Sequence, residues 1–423
     1  MTVFGLGENE VEPLATAVAG RDLDRGGLEE VFARAAWTGI AEPGDGTAGA
    51  VVAALGAVPA LRALLEGVTV PGLAARLREA DADPPGDEAL RAALARWAPR
   101  ATVRDTVDAL RQAARVGARL LVPGCARWPA GVDDLGHHAP LALWMRGTDV
   151  ALDALPRSLS LVGARAATGY GEHVTMEASA GLVDRGYTIV SGAAYGIDGM
   201  AHRAALASRG ITLAFLAGGV DRFYPSGHDA LLTRIAEEGA VLSELPCGQA
   251  PTKWRFLQRN RLIAAASLAT VVLEAGWRSG SLNTAAHAST LGRPLGAVPG
   301  PVTSAASAGC HRLIRDYTAV CVTNPDEMAE LAPLDAAPTL FDAVGGAVGG
   351  ARDGASGQGD PAPEVVRLID ALSARSPRDV ADLAARAGLS FDAVRALLGT
   401  LELEGAVLER ERGWVKTSGA GRQ

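Results

Sequence analysis

Apolar and polar positions follow two patterns along the chain, and each pattern predicts a different kind of structure. In residues 1–125 the apolar positions recur at helical spacing, as in AGAVVAALGAVPALRALLEG and DTVDALRQAARVGARLL. The segment EPGDGTAG interrupts this spacing with turn-forming residues. Residues 1–125 are therefore predicted to form a small module of Ala-rich helices, in which no candidate for chemistry is found.

From about residue 157 to residue 322 short apolar runs alternate with helical stretches. The runs with the character of strands are RSLSLVGAR, YTIVSGAA, ITLAFLAGG, AVLSELP, LATVVLEAG and PLGAVPG. The helical stretches between them are GEHVTMEASAGLVDRG, DGMAHRAALASRG, GHDALLTRIAEEG and SGSLNTAAHASTLGR. Strands that are apolar throughout and alternate with helices predict an α/β fold with a doubly wound, mostly parallel sheet covered on both faces. Ligands bind such sheets at the carboxyl ends of the strands.

The last third of the chain contains a linker and a third unit. Residues 333–362 are rich in Gly, Ala and Asp, which predicts a flexible linker after an α/β domain that we place at 126–332. Residues 363–418 contain one helix, then a helix, a Gly-containing turn and a second helix, and finally a short hairpin. This order predicts a winged-helix domain.

Composition narrows the classes of function. The 423 residues have a formal net charge of −8, so any nucleic-acid site must be a local patch. No apolar run is long enough for a transmembrane helix, and MTVFGLGENEVE has acids where a signal peptide needs cations. Four cysteines without a CxxC pair fit a reducing compartment, so we expect a cytoplasmic protein. No zinc-type spacing and no P-loop is found, and we predict neither a metal nor a cofactor.

One short segment, KWRFLQRNR, concentrates positive charge around two rings and contains no acid. Its cations and rings are Lys253, Trp254, Arg255, Phe256, Arg259 and Arg261. Two prolines precede it, so we predict a loop at the carboxyl edge of the sheet, with a helix beginning at RNRLIAAAS. Cations near a helix amino terminus oppose the helix dipole unless an anion binds there. A ring could stack on a base, and the alternative is a solvated turn whose rings fill the core.

Three further loops combine glycine with polar residues at strand ends. VGARAATGYGE, residues 162–172, is either a phosphate-binding loop or a tight turn. In SGAAYGIDGMAHRAAL, residues 191–206, Asp198 and His202 lie four residues apart. For these two we favour an N-cap carboxylate and a locally bonded histidine over an acid–base pair. In EAGWRSGSLNTAAHAS the residues 279–281 suit a phosphate, whereas for Glu274 we favour a structural role over a catalytic one.

Together these segments resemble the DprA/Smf family of bacterial DNA-processing proteins. The resemblance rests on motifs in a fixed order: Gly163-Ala164-Arg165, SGAAYGID (191–198), AHRAAL (201–206), Tyr224-Pro225, SELP (243–246), FLQRNRLI (256–263), SGSLNTAAHA (279–288), AVPG (297–300) and GCHRLI (309–314). At five positions the sequence departs from the family pattern: Ala164, Tyr195, Leu257, Cys310 and His311. The effect of these departures is left open.

The resemblance implies an extended Rossmann-like domain that binds single-stranded DNA, preceded by a module of the sterile-alpha-motif or helix-hairpin kind. It implies a homodimer that loads RecA during natural transformation or recombination and that is not an enzyme. The residues implied to bind or shape the path of DNA are Gly163, Arg165, Ser191, Gly192, Gly196, Lys253, Phe256, Arg259, Asn260, Arg261, Ser279, Gly280 and Ser281.

Two other functions compete with DNA binding. A related group of Rossmann-like enzymes cleaves nucleoside monophosphates to free base and carries a PGGxGTxxE signature, but EAGWRSGSLNT lacks its paired glycines and its glutamate. A winged-helix regulator with a ligand-sensing domain is the third possibility. Its recognition helix, residues 391–404, carries three acids against one arginine, which suits the phosphates of a major groove poorly and favours a protein contact.

Overall fold

The computed structural model describes residues 2–334, 362–410 and 412–417. These residues form a helical part, a central α/β part and a winged helix, which confirms the predicted fold class. The linker predicted for 333–362 lies outside the described residues except at its two ends.

The amino-terminal part is a short hairpin followed by a bundle of helices. Its elements are β1 (Thr2–Val3), β2 (Leu6–Gly7), α1 (Glu8–Ala19), α2 (Arg25–Ile40), α3 (Gly46–Leu55), α4 (Ala57–Leu65), α5 (Val70–Glu79), α6 (Asp87–Trp97) and α7 (Val103–Arg115). Helices α2, α3, α5 and α7 begin where an Asp or Thr side chain accepts a hydrogen bond from a first-turn N–H, at Asp24, Asp45, Thr69 and Thr102. Short polar residues thus set where these apolar helices start.

The segment DTVDALRQAARVGARLL is not helical throughout, contrary to the sequence prediction. Helix α7 ends at Arg115, and residues Arg119–Leu121 form the strand β3. Gly117 between them has φ +65°, a conformation that glycine adopts without strain and that ends a helix. The apolar residues that follow this turn therefore join the sheet.

Helices α3 and α4 form the most apolar part of the bundle, and they meet at 111° across Gly56. Among the described residues no single helix is long and apolar enough to cross a membrane. The bent pair of α3 and α4 has the required length and apolar character only when the two helices are taken together. In the structure Val51, Val52 and Leu61 of the pair are buried in the core of the helical bundle.

A nine-stranded sheet forms the centre of the molecule. Its strands are β3 (Arg119–Leu121), β4 (Leu143–Gly147), β5 (Ser158–Gly163), β6 (Thr188–Ser191), β7 (Thr212–Phe215), β8 (Ala240–Ser243), β9 (Ala269–Glu274), β10 (Leu295–Ala297) and β11 (Val320–Cys321). The spatial order is β11-β10-β9-β5-β6-β7-β8-β4-β3. In this spatial order, every pair of neighbouring strands from β11 to β8 is parallel. Strand β4 is antiparallel to β8, and β3 is antiparallel to β4. All six strands predicted from the apolar runs are present.

Helices cover both faces of this sheet, as the apolar strands require. They are α8 (Asp149–Ala154), α9 (Gly169–Asp184), α10 (Ile197–Ala207), α11 (Asp229–Glu238), α12 (Lys253–Ala266), α13 (Ser281–Thr290), α14 (Ala308–Asp316) and α15 (Pro325–Glu330). Leu161 of β5 packs in one core with residues of α9 and α10, whereas the next residue, Val162, packs in another with residues of α12 and α13. Successive strand side chains point to opposite faces, so both faces of β5 are buried.

Strand order reverses between β5 and β9, and this reversal fixes the position of the site. The chain adds β6, β7 and β8 on one side of β5 and then returns through α12 to place β9 on the other side. The loops that leave β5 and β9 diverge at this switch point, and divergence opens a crevice at the carboxyl ends of the two strands.

The carboxy-terminal described residues form the predicted winged helix. Its elements are α16 (Pro363–Ala371), α17 (Val380–Ala387), α18 (Phe391–Leu403), β12 (Val407–Arg410) and β13 (Gly413–Lys416). Gly388 in the left-handed conformation ends α17. Leu368, Leu383 and Leu398, one from each helix, meet in a separate small core.

The basic segment KWRFLQRNR is helical from its first residue, which corrects the prediction of a loop. Thr252 is the N-cap of α12, because its hydroxyl accepts a hydrogen bond from the backbone N–H of Arg255 at 3.2 Å. The sequence contains this N-cap signal, a threonine that follows Pro251, but the prediction of a loop gave more weight to the cations that come after it. Helical periodicity then separates the cations onto different faces of α12.

Three of the four cations in the segment are buried and hold α12 on the molecule. Arg259 donates from one nitrogen, Nη1, to the carbonyls of Gly192 and Phe215 at 2.6 and 2.7 Å. Arg261 forms two 2.6 Å hydrogen bonds with the carboxylate of Glu244. Each guanidinium thus replaces water with protein acceptors, as burial of a charge demands.

The third buried cation, Arg255, takes part in a charge cluster that joins all three parts of the chain. Glu42 accepts hydrogen bonds from Arg255 at 2.8 Å and from Arg100 at 2.6 Å. Arg100 also donates to the carbonyl of Ala385 in the winged helix at 2.5 Å. Burial alone raises the pKa of Glu42, but the two guanidinium groups outweigh burial and hold this pKa at about 2.

Replacing Glu42 by glutamine is expected to lower the free energy of unfolding by about 3–5 kcal/mol, because two buried guanidinium groups lose their carboxylate. Chemical denaturation at pH 7 measures this loss. The pKa of Glu42 lies below its ordinary value of 4.5, so its stabilisation is complete above about pH 4.5 and is lost as pH falls toward 2. Between about pH 4.5 and pH 2 the free energy of unfolding of Glu42→Gln should therefore fall less than that of the wild type. Glu30→Gln, which breaks a more exposed pair with Arg34, serves as control and should cost under about 1 kcal/mol.

Replacing Gly192 by alanine is expected to destabilise the protein by about 1–3 kcal/mol, since overpacking forces a shift of neighbouring groups. A Cβ atom at this position would lie 2.0 Å from Nη1 of Arg259, which is fixed by two carbonyls. The midpoint of denaturation reports the change. Gly169→Ala is the matched control, because no atom lies within 4 Å of its added Cβ. Equal midpoints for both variants would contradict the tight contact between Gly192 and Arg259.

Candidate nucleic-acid interface

A cleft of about 770 Å³ lies at the switch point between β5 and β9. It is bounded by the loops that follow these two strands and by one face of α12. Its charged lining residues are four cations and one acid, namely Arg165, Lys253, Arg259, Arg278 and Asp198. A chain of net charge −8 therefore contains a local surface of positive charge in a crevice, where low-dielectric walls strengthen the field.

The loop after β5 presents Arg165 from a fixed backbone. The N–H of Ala164 donates to the carbonyl of Glu274 at 2.7 Å, and the carbonyl of Ala164 accepts from Ile197 at 3.1 Å. Gly196 passes so close that a Cβ there would lie 2.2 Å from the oxygen of Ala164, and its φ is +74°. Only glycine fits this approach, so the loop holds its shape while the side chain of Arg165 is exposed.

Phe256 lies among cations and a second ring. The guanidinium carbon of Arg165 is 5.0 Å from the centre of the Phe256 ring, and that of Arg259 is 5.7 Å away. The ring centre of Tyr224 lies at 5.6 Å. Lys253 is exposed three residues earlier on α12 and therefore shares its face with Phe256. Flat surfaces and positive charge thus meet at one place, with Phe256 half-buried rather than sealed in the core.

The amino terminus of α13 forms the opposite wall of the cleft. Its N-cap, Gly280, has no side chain to accept hydrogen bonds from the N–H groups of the first turn. The hydroxyls of Ser279 and Ser281 are 2.8 Å apart. Asn260 of α12 donates to Asn283 at 3.2 Å and so ties the two helices together. The N–H groups of Leu282 and Asn283 already donate to the carbonyls of Ser279 and Gly280, at 3.2 Å each, so this wall offers mainly the small hydroxyls of the two serines to an anionic oxygen.

Asp198 and His202 do not form a pair. Nδ1 of His202 lies 2.7 Å from the hydroxyl of Thr212 in β7, and burial lowers the pKa of His202 to about 3, so its ring is neutral. Gly196, not Asp198, is the N-cap of α10. The expected N-cap role of Asp198 is therefore wrong, and His202 bonds to a neighbouring strand rather than locally.

Asp198 is buried among the loops that surround the cleft. It is 6% exposed, and the nearby backbone of Ala194, Gly163 and Gly192 favours its charged form. Burial raises the pKa of its carboxyl, while the neighbouring guanidinium of Arg259 acts in the opposite direction. The same burial lowers the pKa of Arg259 to about 10, so this guanidinium remains charged at neutral pH.

Glu274 is structural, as the sequence analysis favours. Its carboxylate accepts hydrogen bonds from the backbone N–H and the hydroxyl of Thr168, at 2.9 and 2.6 Å. Thr168 is the N-cap of α9, so the contact joins the end of β9 to the start of that helix. Both carboxylate oxygens are occupied, and the residue is 2% exposed.

Most of the residues singled out by sequence meet in the cleft. Those that line it are Gly163, Arg165, Lys253, Phe256, Arg259, Asn260, Ser279, Gly280 and Ser281. The lining does not include Ser191, Gly192, Gly196 or Arg261. The hydroxyl of Ser191 donates to a carbonyl of β5 within the sheet, and Arg261 is 3% exposed beside Glu244. A direct contact of these four residues with a ligand has no support in their placement.

Some lining residues were not singled out by sequence. Arg278 is exposed in the loop after β9, and Asn283 and Thr284 follow on α13. Tyr224, noted only as part of a motif, is 52% exposed beside Phe256. Arg278 follows the end of β9 and directly precedes residues 279–281, so its position in the sequence could have identified it as a candidate for the site. No cluster of three or more His, Cys, Asp or Glu suited to a metal occurs in the described residues.

Comparison with known proteins identifies the family of the chain. The sequence model of the family DNA recombination-mediator protein A matches residues 119–333, and that of the DprA winged helix domain matches residues 355–411. The putative DNA processing protein DprA of Mycobacterium tuberculosis is 43% identical over 336 residues, covering 76% of this chain and 83% of that protein.

Two solved structures of related proteins were also found. The X-ray structure of DNA processing protein A from Streptococcus pneumoniae superposes with a TM-score of 0.56 at 26% identity, covering 71% of this chain and 96% of that one. The protein from Helicobacter pylori, described for its single-stranded DNA binding mode, gives a TM-score of 0.46 at 29% identity and covers 50% and 94% of the two chains. From the family match over residues 119–333 and the extent of the mycobacterial similarity, the chain belongs to the DprA/Smf family of DNA recombination-mediator proteins.

Proposed function

We propose that this protein binds single-stranded DNA in the cleft between β5 and β9 and acts as a binding protein rather than an enzyme. One observation carries the proposal: the partly exposed ring of Phe256 lies with the exposed cations Arg165 and Lys253 at the carboxyl edge of the sheet. Cations bind phosphates whatever the sequence, and a ring or a guanidinium plane stacks on any base.

The form of the nucleic acid follows from the flat groups in the cleft. In a duplex the faces of the bases are covered by their neighbours, so only unpaired bases can stack on a protein side chain. Arg165 lies over the ring of Phe256, and its own plane offers a second stacking surface. A cleft of 770 Å³ is also far smaller than a double helix. Unpaired strands therefore fit this site and duplex DNA does not.

The arrangement of acids argues against catalysis, including the cleavage of nucleoside monophosphates. Asp198 is the single carboxylate of the lining residues, and backbone N–H groups and Arg259 surround it. Glu274 is occupied by Thr168, and His202 faces β7. A hydrolase needs a base or nucleophile that reaches the substrate. The described cleft supplies hydrogen-bond donors and positive charge instead.

Family membership extends the proposal to partners and to the organisation of the chain. We expect a homodimer in the cytoplasm that passes the bound strand to RecA, with the winged helix serving a protein contact. Helix α18 supports that last point, since Leu403 at its end is 92% exposed and its charged residues are mainly acidic. The domains proposed are the helical module of residues 1–125, the Rossmann-like domain of 126–332 and the winged helix of 363–418.

Truncation of the cleft residues is expected to weaken binding of an oligo-dT strand in a gel-shift or anisotropy titration. Phe256→Ala removes one stacking surface, worth about 1–3 kcal/mol, which corresponds to roughly 5- to 150-fold in affinity. Arg165→Ala and Lys253→Ala each remove one phosphate contact and should reduce the slope of log K against log salt by about 0.7.

Arg104→Ala, an exposed arginine on α7, is the control for loss of one charge and should leave the affinity nearly unchanged. Circular dichroism checks that each variant is folded. Wild-type affinity in all three cleft variants would exclude this cleft as the DNA site.

Incubation with AMP is expected to release no free adenine, because Asp198, the one carboxylate among the lining residues, is only 6% exposed, and Glu274 is held by Thr168. Chromatography of the reaction measures free base against a heat-inactivated sample. Release that depends on intact protein and disappears in Asp198→Asn would favour the hydrolase over the binding protein.

A further inference from the structure

The winged helix touches the proposed DNA site through one acidic side chain. Asp370, at the end of α16, accepts a hydrogen bond from the backbone N–H of Lys253 at 2.7 Å. Lys253 is the first residue of α12, and its N–H has no acceptor within that helix. The N-cap function already belongs to Thr252. The carboxylate therefore adds negative charge, from 117 residues away in sequence, at the positive end of the helix that carries Phe256.

The same carboxylate shares a cavity with the cations and ring assigned to DNA. A space of about 280 Å³ adjoins the main cleft and is lined by Arg165, Lys253, Phe256, Tyr224 and Asp370. Arg165, Lys253 and Phe256 line both spaces, so these side chains form the boundary that the two share. A strand that leaves the cleft past Phe256 in this direction meets the negative charge of Asp370 where its own phosphate would lie.

The surface that holds the winged helix in this position is polar and incompletely filled. The guanidinium of Arg367 lies 5.5 Å from the ring of Trp254, and Arg100 donates to the carbonyls of Ala385 and Arg386. Between these contacts a cavity of about 380 Å³ remains. Interfaces of this kind within one chain resemble those of transient complexes, and relative motion of their domains is the ordinary expectation.

We infer that the docked winged helix closes one end of the DNA cleft, and that Asp370 competes there with a phosphate of the DNA strand. The inference rests on the proposed function, since it concerns the regulation of the same site. In the docked state Asp370 occupies the N–H of Lys253 and opposes phosphate in the cavity beside Arg165. A strand long enough to reach that cavity binds fully only when α16 moves away from α12.

The test compares two charge-neutralising variants of the full chain. Asp370→Asn removes the competing charge, and Asp392→Asn removes a charge of the same sign from α18, where the side chain is 96% exposed. We expect Asp370→Asn to bind oligo-dT about 3- to 10-fold more tightly than the wild type at low salt, an effect of about 1 kcal/mol. Asp392→Asn should change affinity by less than about 2-fold. Asp370→Ala provides a second variant without an amide.

Strand length adds a readout that a general change of surface charge would not produce. The gain from Asp370→Asn should appear with long oligo-dT and shrink with strands too short to pass Phe256. Equal affinity of Asp370→Asn and Asp392→Asn, or weaker binding by Asp370→Asn, would overturn the competition.

Adding Arg165→Ala to each variant separates this inference from the proposed function. If only the inference fails, Asp370→Asn behaves as its control while Arg165→Ala still weakens binding. If the proposed site fails, Arg165→Ala has no effect in any background.

Discussion

The structure depends on the burial of arginine side chains along α12. A guanidinium is costly to remove from water unless carboxylates or carbonyls surround it, and here each of Arg255, Arg259 and Arg261 has such partners. These contacts fix the rotation of the crossover helix against the sheet. Because that rotation is fixed, Lys253 and Phe256 face the cleft together, next to the buried Arg259 and Asn260. The packing of this charged helix thus determines which of its side chains reach the site.

The fold itself could be predicted from the sequence because its signals are local. Strand runs such as LATVVLEAG are apolar throughout, and the helices between them have caps and glycines at their ends. The carboxyl ends of parallel strands meet at one edge, so strand order along the chain is enough to assign Gly163, Arg165 and residues 279–281 to one site. The clearest local failure, the strand β3, was hidden in a helical pattern that Gly117 interrupts.

The fate of the individual cations could not be predicted in this way. KWRFLQRNR gives the same pattern whether its arginines contact DNA or protein, and the deciding partners are remote. Glu42 is 213 residues from Arg255, and the carbonyl of Gly192 is 67 residues from Arg259. Asp370 is separated from Lys253 by the predicted linker, so no spacing rule connects them. Net charge over a short window therefore overstates the cations available to a ligand.

The position of Glu42 has a consequence for how such a protein can be divided. This single carboxylate neutralises charge from the central domain and from Arg100, which in turn contacts the winged helix. A fragment that begins after the helical module would retain Arg255 without its counter-ion. Shorter homologues built on the same core must then supply another acceptor or an uncharged residue at that position. The three parts therefore form one electrostatic unit, although the winged helix has a core of its own, separate from the core that the helical part shares with the sheet.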